Sequence, residues 1–326
     1  MQAIPHNVMT LYADLAQGLD IGSASSASVK VIEGRRYLYA KERNGMVWGE
    51  RLLGREGEPA AEAEAARIRS ANSQNKQREA TVRALRALRL PGPTIQLGRV
   101  LQAVADAGLF NRGLVLVGTG AFTCYAPLVG AFLPGPAMMT GDADLTVARL
   151  AVTTEASGES LLAVLQRADR SFGPVREIVA ETLPHRFAAD DRFTVEVLTT
   201  PKRSGAAAVR VPGLGCSAVP LPFMDFLIED SIEAVALYRA GVPVRVPAPE
   251  RFAVHKLIIA QRRDKRSVKA PKDLMQAKAL IEAMRENDPG ALDHAFEIAR
   301  SKGKAWRTAI DASLAEIGVQ ASPAVT

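Results

Sequence analysis

Apolar residues recur at helical spacing over residues 5–20, where Val8, Leu11, Leu15 and Leu19 predict a short amphipathic helix ending near Gly22. The period then shortens. Apolar runs at 29–32, 36–40 and 46–48 are separated by Glu33-Gly34 and Asn44-Gly45, a pattern that predicts a three-stranded meander with glycine turns. Residues 59–89 are rich in Ala, Glu, Arg and Gln with no interior Pro or Gly, so a long helix is expected after Pro59. Pro91-Gly92-Pro93 ends it and marks a boundary.

Beyond that boundary the pattern mixes both periods. A helix is expected over 100–107, then the apolar strand 114–117, a helix from Ala121, a Pro- and Gly-rich loop through Pro136 and a second core strand over 142–147. Residues 157–169 read as helix, 175–180 and 192–198 as strands, and 222–246 as mixed, with two strand-like runs around Gly241. Helices are expected at 249–263, 271–285, 289–301 and 303–317. Helices and strands mixed without a clean βαβ repeat point to an α+β fold. The expected division is 1–56 (helix and meander), 57–92 (connecting helix), 93–205 (mixed core) and 206–326 (mixed, then helical).

Composition narrows the picture. The chain has 326 residues, 48% of them hydrophobic, enough for an ordinary core. Lys and Arg exceed Asp and Glu by 41 to 35, giving +6 and a pI near 9.4, which suits a polyanionic partner and also plain solubility. Cys124 and Cys216 lie in apolar surroundings and read as buried free thiols of a reducing compartment. The N-terminus lacks the basic-then-apolar pattern of an export signal, so a cytoplasmic location is expected. Residues 113–141 carry no charge, but their many Gly and Pro residues favour strand, turn and loop in a buried core over a membrane span.

Candidate chemistry begins at Asp142 and Asp144. In an extended strand, i and i+2 share a face, so Asp-x-Asp presents two carboxylates together, a pair suited to Mg²⁺ (or Mn²⁺) that also binds substrate phosphates. Before them stands Gly118-Thr119-Gly120 at the end of an apolar strand, where glycine allows close backbone approach and helical N–H groups can meet phosphate. The meander mixes Arg35, Arg36, Lys41, Arg43 and Arg51 with Tyr37, Tyr39 and Trp48, which suits either nucleic-acid contact or aromatic packing on the rest of the protein. The basic half of the long helix, Lys76, Arg78, Arg83, Arg86 and Arg89, is read as a solvated face or a nucleic-acid groove. Phe122, Tyr125 and Phe223 read as core or as base-stacking rings, and the four histidines show no zinc spacing.

The order of strand, Gly-Thr-Gly, helix, loop and Asp-x-Asp resembles the nucleotidyltransferase superfamily that includes DNA polymerase beta. More narrowly it is similar to the bacterial nucleotidyltransferase fold proteins, related to abortive-infection-type toxins, over about 29–283. The resemblance implies a mixed sheet flanked by helices and a third carboxylate on a neighbouring strand. Glu196 fills that place as metal ligand or general base, with Asp190 and Asp191 as alternatives. The block 250–277 also resembles the family, which implies that Lys256, Arg263 (or Arg262), Lys272 and Asp273 serve nucleotide binding. The implied activity is metal-dependent NMP transfer from an NTP to a hydroxyl acceptor, RNA or tRNA ahead of a protein or small molecule, in a toxin or phage-defence setting with an antitoxin partner. Two other readings stay open: a catalytically inactive nucleic-acid-binding protein on the same fold, and a methyltransferase suggested by the glycine turn.

Overall fold

In the computed structural model, residues 1–20, 26–44, 47–134, 147–152, 158–175, 183–201, 207–264, 267 and 269–319 are described. A first helix, α1 (His6–Gln17), buries Val8, Tyr12 and Leu15, and leads to an antiparallel sheet of β1 (Ser26–Ile32), β2 (Arg35–Asn44) and β3 (Val47–Arg55) in the order β1-β2-β3. The long helix α2 (Pro59–Ala87) opens with proline at its first turn, where no amide is needed, and packs on one face of that sheet. Leu38 of β2 is fully buried with Ala61 and Ala65 of α2 in a small cluster of their own. Arg78 is not a solvated cation as the charge pattern allowed: it donates to the Gly18 carbonyl and the Asn75 side chain, fastening α2 to the end of α1.

The second sheet takes seven strands: β4 (Leu114–Val117), β5 (Val147–Val152), β6 (Gly173–Pro174), β7 (Arg186–Ala188), β8 (Thr194–Thr199), β9 (Val209–Val211) and β10 (Cys216–Pro220). Its main order is β4-β5-β8-β10-β9; β5 and β10 run parallel to β8, while β4 is antiparallel to β5 and β9 to β10. β7 pairs antiparallel with the first half of β8, and β6 with β7. The sheet is thus mixed, and it continues past residue 205 through β9 and β10.

Helices cover this sheet. α3 (Ile95–Asp106) begins one turn earlier than the apolar period suggests, because the Thr94 hydroxyl accepts the Leu97 amide and caps it. Where one helix was expected from Ala121 there are two short ones, α4 (Gly118–Phe122) and α5 (Tyr125–Leu128). The break falls at Thr123, whose hydroxyl donates to the Gly120 carbonyl and competes with the helical ladder. α6 (Leu161–Ala168) and α7 (Met224–Ile228) follow, then the hairpin β11 (Ser231–Ala236) and β12 (Val242–Pro247) around Gly241. The chain closes with α8 (Pro249–Ala260), α9 (Lys269–Asn287), α10 (Pro289–Ser301) and α11 (Lys304–Glu316), near the expected bounds. α8 is buried on all sides, which makes it the central helix about which α7, α9, α10 and α11 pack. The result is an α+β fold, a mixed sheet flanked by helices with a small N-terminal sheet.

Both cysteines are free and buried, and burial pushes each thiol up to about 12. Among the described residues no helix is long and apolar enough to cross a membrane.

Candidate functional site

Strand register assembles the floor of the site. Val117 of β4 pairs with Arg149 of β5, Arg149 with Glu196 of β8, and Glu196 with Arg186 of β7, so four side chains from four strands form one row on one face of the sheet. Arg149 Nε donates to Glu196 Oε2 at 3.0 Å, and Arg186 Nε lies 3.7 Å from Oε1. A lone charge in an apolar, alternating strand is costly, and this row shows how the cost is met: each charge finds its opposite on the neighbouring strand.

The wall is helix α8. Phe252, His255, Lys256 and Ile259 recur at helical spacing along one side, and Arg263 follows just beyond the C-terminus. Val219 and Leu221 at the end of β10, with Met224 and Leu227 of α7, complete an apolar rim. Together floor, wall and rim enclose a cavity of about 350 Å³. Gly118 lines it where β4 turns into α4, and its φ of +68° is a conformation that favours glycine.

Charge in this cavity is arranged around two carboxylates. Asp273 of α9, 2% exposed, accepts from Lys256 Nζ through Oδ1 and from Arg263 Nε through Oδ2, both at 2.5 Å. Burial holds the Lys256 ammonium below its ordinary range while Asp273 pulls it back, and its Nζ also sits 5.1 Å from the Phe252 ring centroid. The lining therefore holds Arg149, Arg186, Lys256 and Arg263, and behind or among them Glu196 and Asp273, an excess of two positive charges. His255 is neutral at ordinary pH, because burial and the adjacent Lys256 charge push its imidazole down to about 3.

Of the residues singled out in the sequence, Gly118, Glu196, Lys256 and Arg263 meet at this cavity, with Asp273 directly behind the two cations. Arg263 is separated from Arg262 by direction: the Arg262 guanidinium lies 5.3 Å from the Phe223 ring centroid and does not line the cavity. Thr119 and Gly120 are buried and off the lining. Gly120 packs where an added Cβ would stand 2.9 Å from the Leu116 side chain, so its smallness serves the strand–helix junction. Lys272 is buried one residue before Asp273 and does not line the cavity. Asp190 and Asp191 sit in the β7–β8 turn, where Asp191 accepts the Phe193 amide. Asp142 and Asp144 lie outside the described residues. Phe122 and Tyr125 pack with Phe252 in the core, and Phe223 packs on Trp306.

Arg149, Arg186, His185 and His255 also line the cavity and were not singled out. The sequence did carry a signal for Arg149, a single charge in the apolar run Val147-Ala148-Arg149-Leu150-Ala151-Val152.

A family model described as nucleotidyltransferase matches residues 96–301. A search of curated proteins returned no significant match. Among solved structures, the chain is similar to an antigenic nucleotidyltransferase-like protein from Paracoccidioides brasiliensis, at 16% identity, covering 68% of this chain and 95% of that one with a TM-score of 0.34. That likeness is loose, and the family match stands without it. The match takes in more than half of the chain and every residue of the cavity, from Val117 to Arg263. The chain belongs to this nucleotidyltransferase family.

Proposed function

We propose that the protein transfers a nucleoside monophosphate from an NTP to a hydroxyl acceptor, RNA foremost, with the help of a divalent metal ion. The observation that carries this reading is the cavity of about 350 Å³ itself, in which an apolar rim adjoins four cations held by two carboxylates. The rim suits a nucleoside and the cations suit a triphosphate.

Glu196 is the described carboxylate that lines the cavity, and a carboxylate has about four lone-pair sites, of which Arg149 and Arg186 engage two. It keeps acceptor capacity for a hard cation. Among the described residues no cluster of three His, Cys, Asp or Glu side chains exists, so the further ligands proposed are Asp142 and Asp144. When bound, Mg²⁺ or Mn²⁺ would neutralise phosphate charge and favour departure of pyrophosphate.

The chain's own residues do the rest. Lys256 and Arg263 bind the phosphate tail, with Asp273 locking both side chains before substrate arrives. Arg149 and Arg186, fixed by Glu196, offer a second pair of guanidinium groups on the floor. The acceptor oxygen attacks the α-phosphorus, the new O–P bond forms, the bond to the bridging oxygen breaks, and pyrophosphate leaves with its electron pair. The hydroxyl proton passes to a carboxylate of the site or to water.

The test is incubation of the protein with each labelled NTP, Mg²⁺ or Mn²⁺, and total RNA or protein as acceptor, beside Asp142→Ala/Asp144→Ala. Labelling by wild type that the double variant loses is the expected result. Equal labelling by both would remove the proposed metal site.

A further inference from the structure

The family match begins at residue 96, so the N-terminal sheet lies outside it. That sheet has one covered face and one open face. Leu38 and Ala40 of β2 are fully buried on the α2 side, so strand alternation turns Tyr37 and Tyr39 to the other side, where both remain partly exposed. Register sets Lys30 of β1 opposite Tyr37, Ile32 opposite Arg35, and Arg55 and Leu52 of β3 opposite Tyr37 and Tyr39. Ile32 and Leu52 are about half exposed at 45% and 52%. Tyr37 and Tyr39 therefore stand on the face turned away from α2 and outside the cluster of Leu38, Ala61 and Ala65.

Charge on this face is one-sided. Among the described side chains, Lys30, Arg35 and Arg55 stand against Glu50, an excess of two positive charges. Lys30 pairs with Glu50 and lies 5.3 Å from the Tyr39 ring centroid; the Arg55 guanidinium lies 6.0 Å from that of Tyr37. Neither Arg35 nor Arg55 has a carboxylate partner among the described residues. A second copy of the chain would bring the same positive charges onto these, which disfavours self-pairing through this face.

We propose that this open face is a platform for single-stranded nucleic acid, with Tyr37 and Tyr39 stacking on successive bases and Lys30, Arg35 and Arg55 contacting the backbone. Rings at i and i+2 of a strand stand roughly 7 Å apart, about twice the rise between stacked bases, so they meet successive bases only of an unstacked, extended strand. Aromatic rings on a sheet with cations beside them supply stacking that tolerates any base, and electrostatic attraction that salt weakens. A duplex hides its base faces and offers this surface only phosphates. The platform would hold an RNA acceptor near the chain, but its binding needs neither NTP nor metal, so it can fail or succeed independently of the transfer reaction.

The test is fluorescence anisotropy of the full chain with a labelled single-stranded RNA, the same sequence as single-stranded DNA, and a duplex, all in EDTA without nucleotide. The single strands should bind, the duplex more weakly, with a log–log salt slope of about −2 for three backbone contacts. Tyr37→Val/Tyr39→Val, which keeps strand-favouring residues, should weaken binding about tenfold or more, as loss of base stacking does. Arg35→Gln/Arg55→Gln, at exposed positions that leave the fold intact, should flatten the slope to about −0.7. Melting curves superimposable on wild type establish that both variants fold. RNA and DNA are separate arms, and binding of either through the tyrosines meets the expectation. Wild-type affinity in the tyrosine variant, equal binding of duplex and single strand, or no binding by the wild type would overturn the proposal. So would a dimer in solution that the tyrosine variant dissolves.

Discussion

The cavity and the N-terminal sheet are both basic, yet they hold their charge in opposite ways. In the cavity each cation is tied to a carboxylate: Lys256 and Arg263 to Asp273, Arg149 and Arg186 to Glu196. On the sheet, Arg35 and Arg55 project without such partners among the described residues. Locking costs desolvation but fixes geometry, which suits a small, highly charged ligand that must sit in one pose. Unlocked cations lose more entropy when bound but adapt to a flexible polymer.

Removing the lock should have the largest effect. Asp273→Ala leaves a buried ammonium and a half-buried guanidinium uncompensated, and should cost about 3–5 kcal/mol in urea unfolding. Lys256→Met leaves Asp273 paired with Arg263 and should destabilise far less, while lowering nucleotidyl transfer about 100-fold to 1,000-fold. If both changes cost the same stability, the view of Asp273 as the shared anchor fails.

A pH experiment probes the same wall. The folded His255 imidazole titrates at about 3, below its unfolded value near 6.5, so the unfolded state takes up the proton first. Its contribution is intact above the unfolded value and is lost as pH falls through that window, by roughly 2 kcal/mol between pH 6.5 and 5. Lys256 and Arg263 disfavour the imidazolium and Asp273 favours it, so the window belongs to this cluster. His255→Gln should flatten the wild-type loss of stability in urea melts across that range; an unchanged slope would place the titration elsewhere. On the sheet, Arg35→Gln/Arg55→Gln should shift stability by less than about 0.5 kcal/mol, because both positions are exposed and neither charge has a carboxylate partner among the described residues. A larger loss in thermal melts would mean that the two surfaces differ less than described.

Local order was legible in the sequence where long-range order was not. Helices α8 to α11 run for three turns or more, long enough to be read from the sequence, and the meander is marked there by Glu33-Gly34 and Asn44-Gly45. β7, β9 and β10 went unread because strands of three to five residues contain too few alternations to stand out. The site divides similarly. Lys256, Arg263 and Asp273 lie close in sequence and carry a family-like pattern, whereas the Arg149–Glu196–Arg186 row exists only through strand pairing across 47 residues. No local window of sequence contains it. Asp142 and Asp144, the plainest chemical signal in the chain, fall outside the described residues, so their role rests on the sequence and awaits the double variant.

The most direct measurement compares transfer from NTP labelled at the α-phosphate with transfer from NTP labelled at the γ-phosphate, in wild type and Lys256→Met. The expected result is that α-label enters the acceptor, that γ-label leaves as pyrophosphate, and that Lys256→Met loses the α-label. Acceptor labelled from the γ position, or α-labelling undiminished in Lys256→Met, would contradict it.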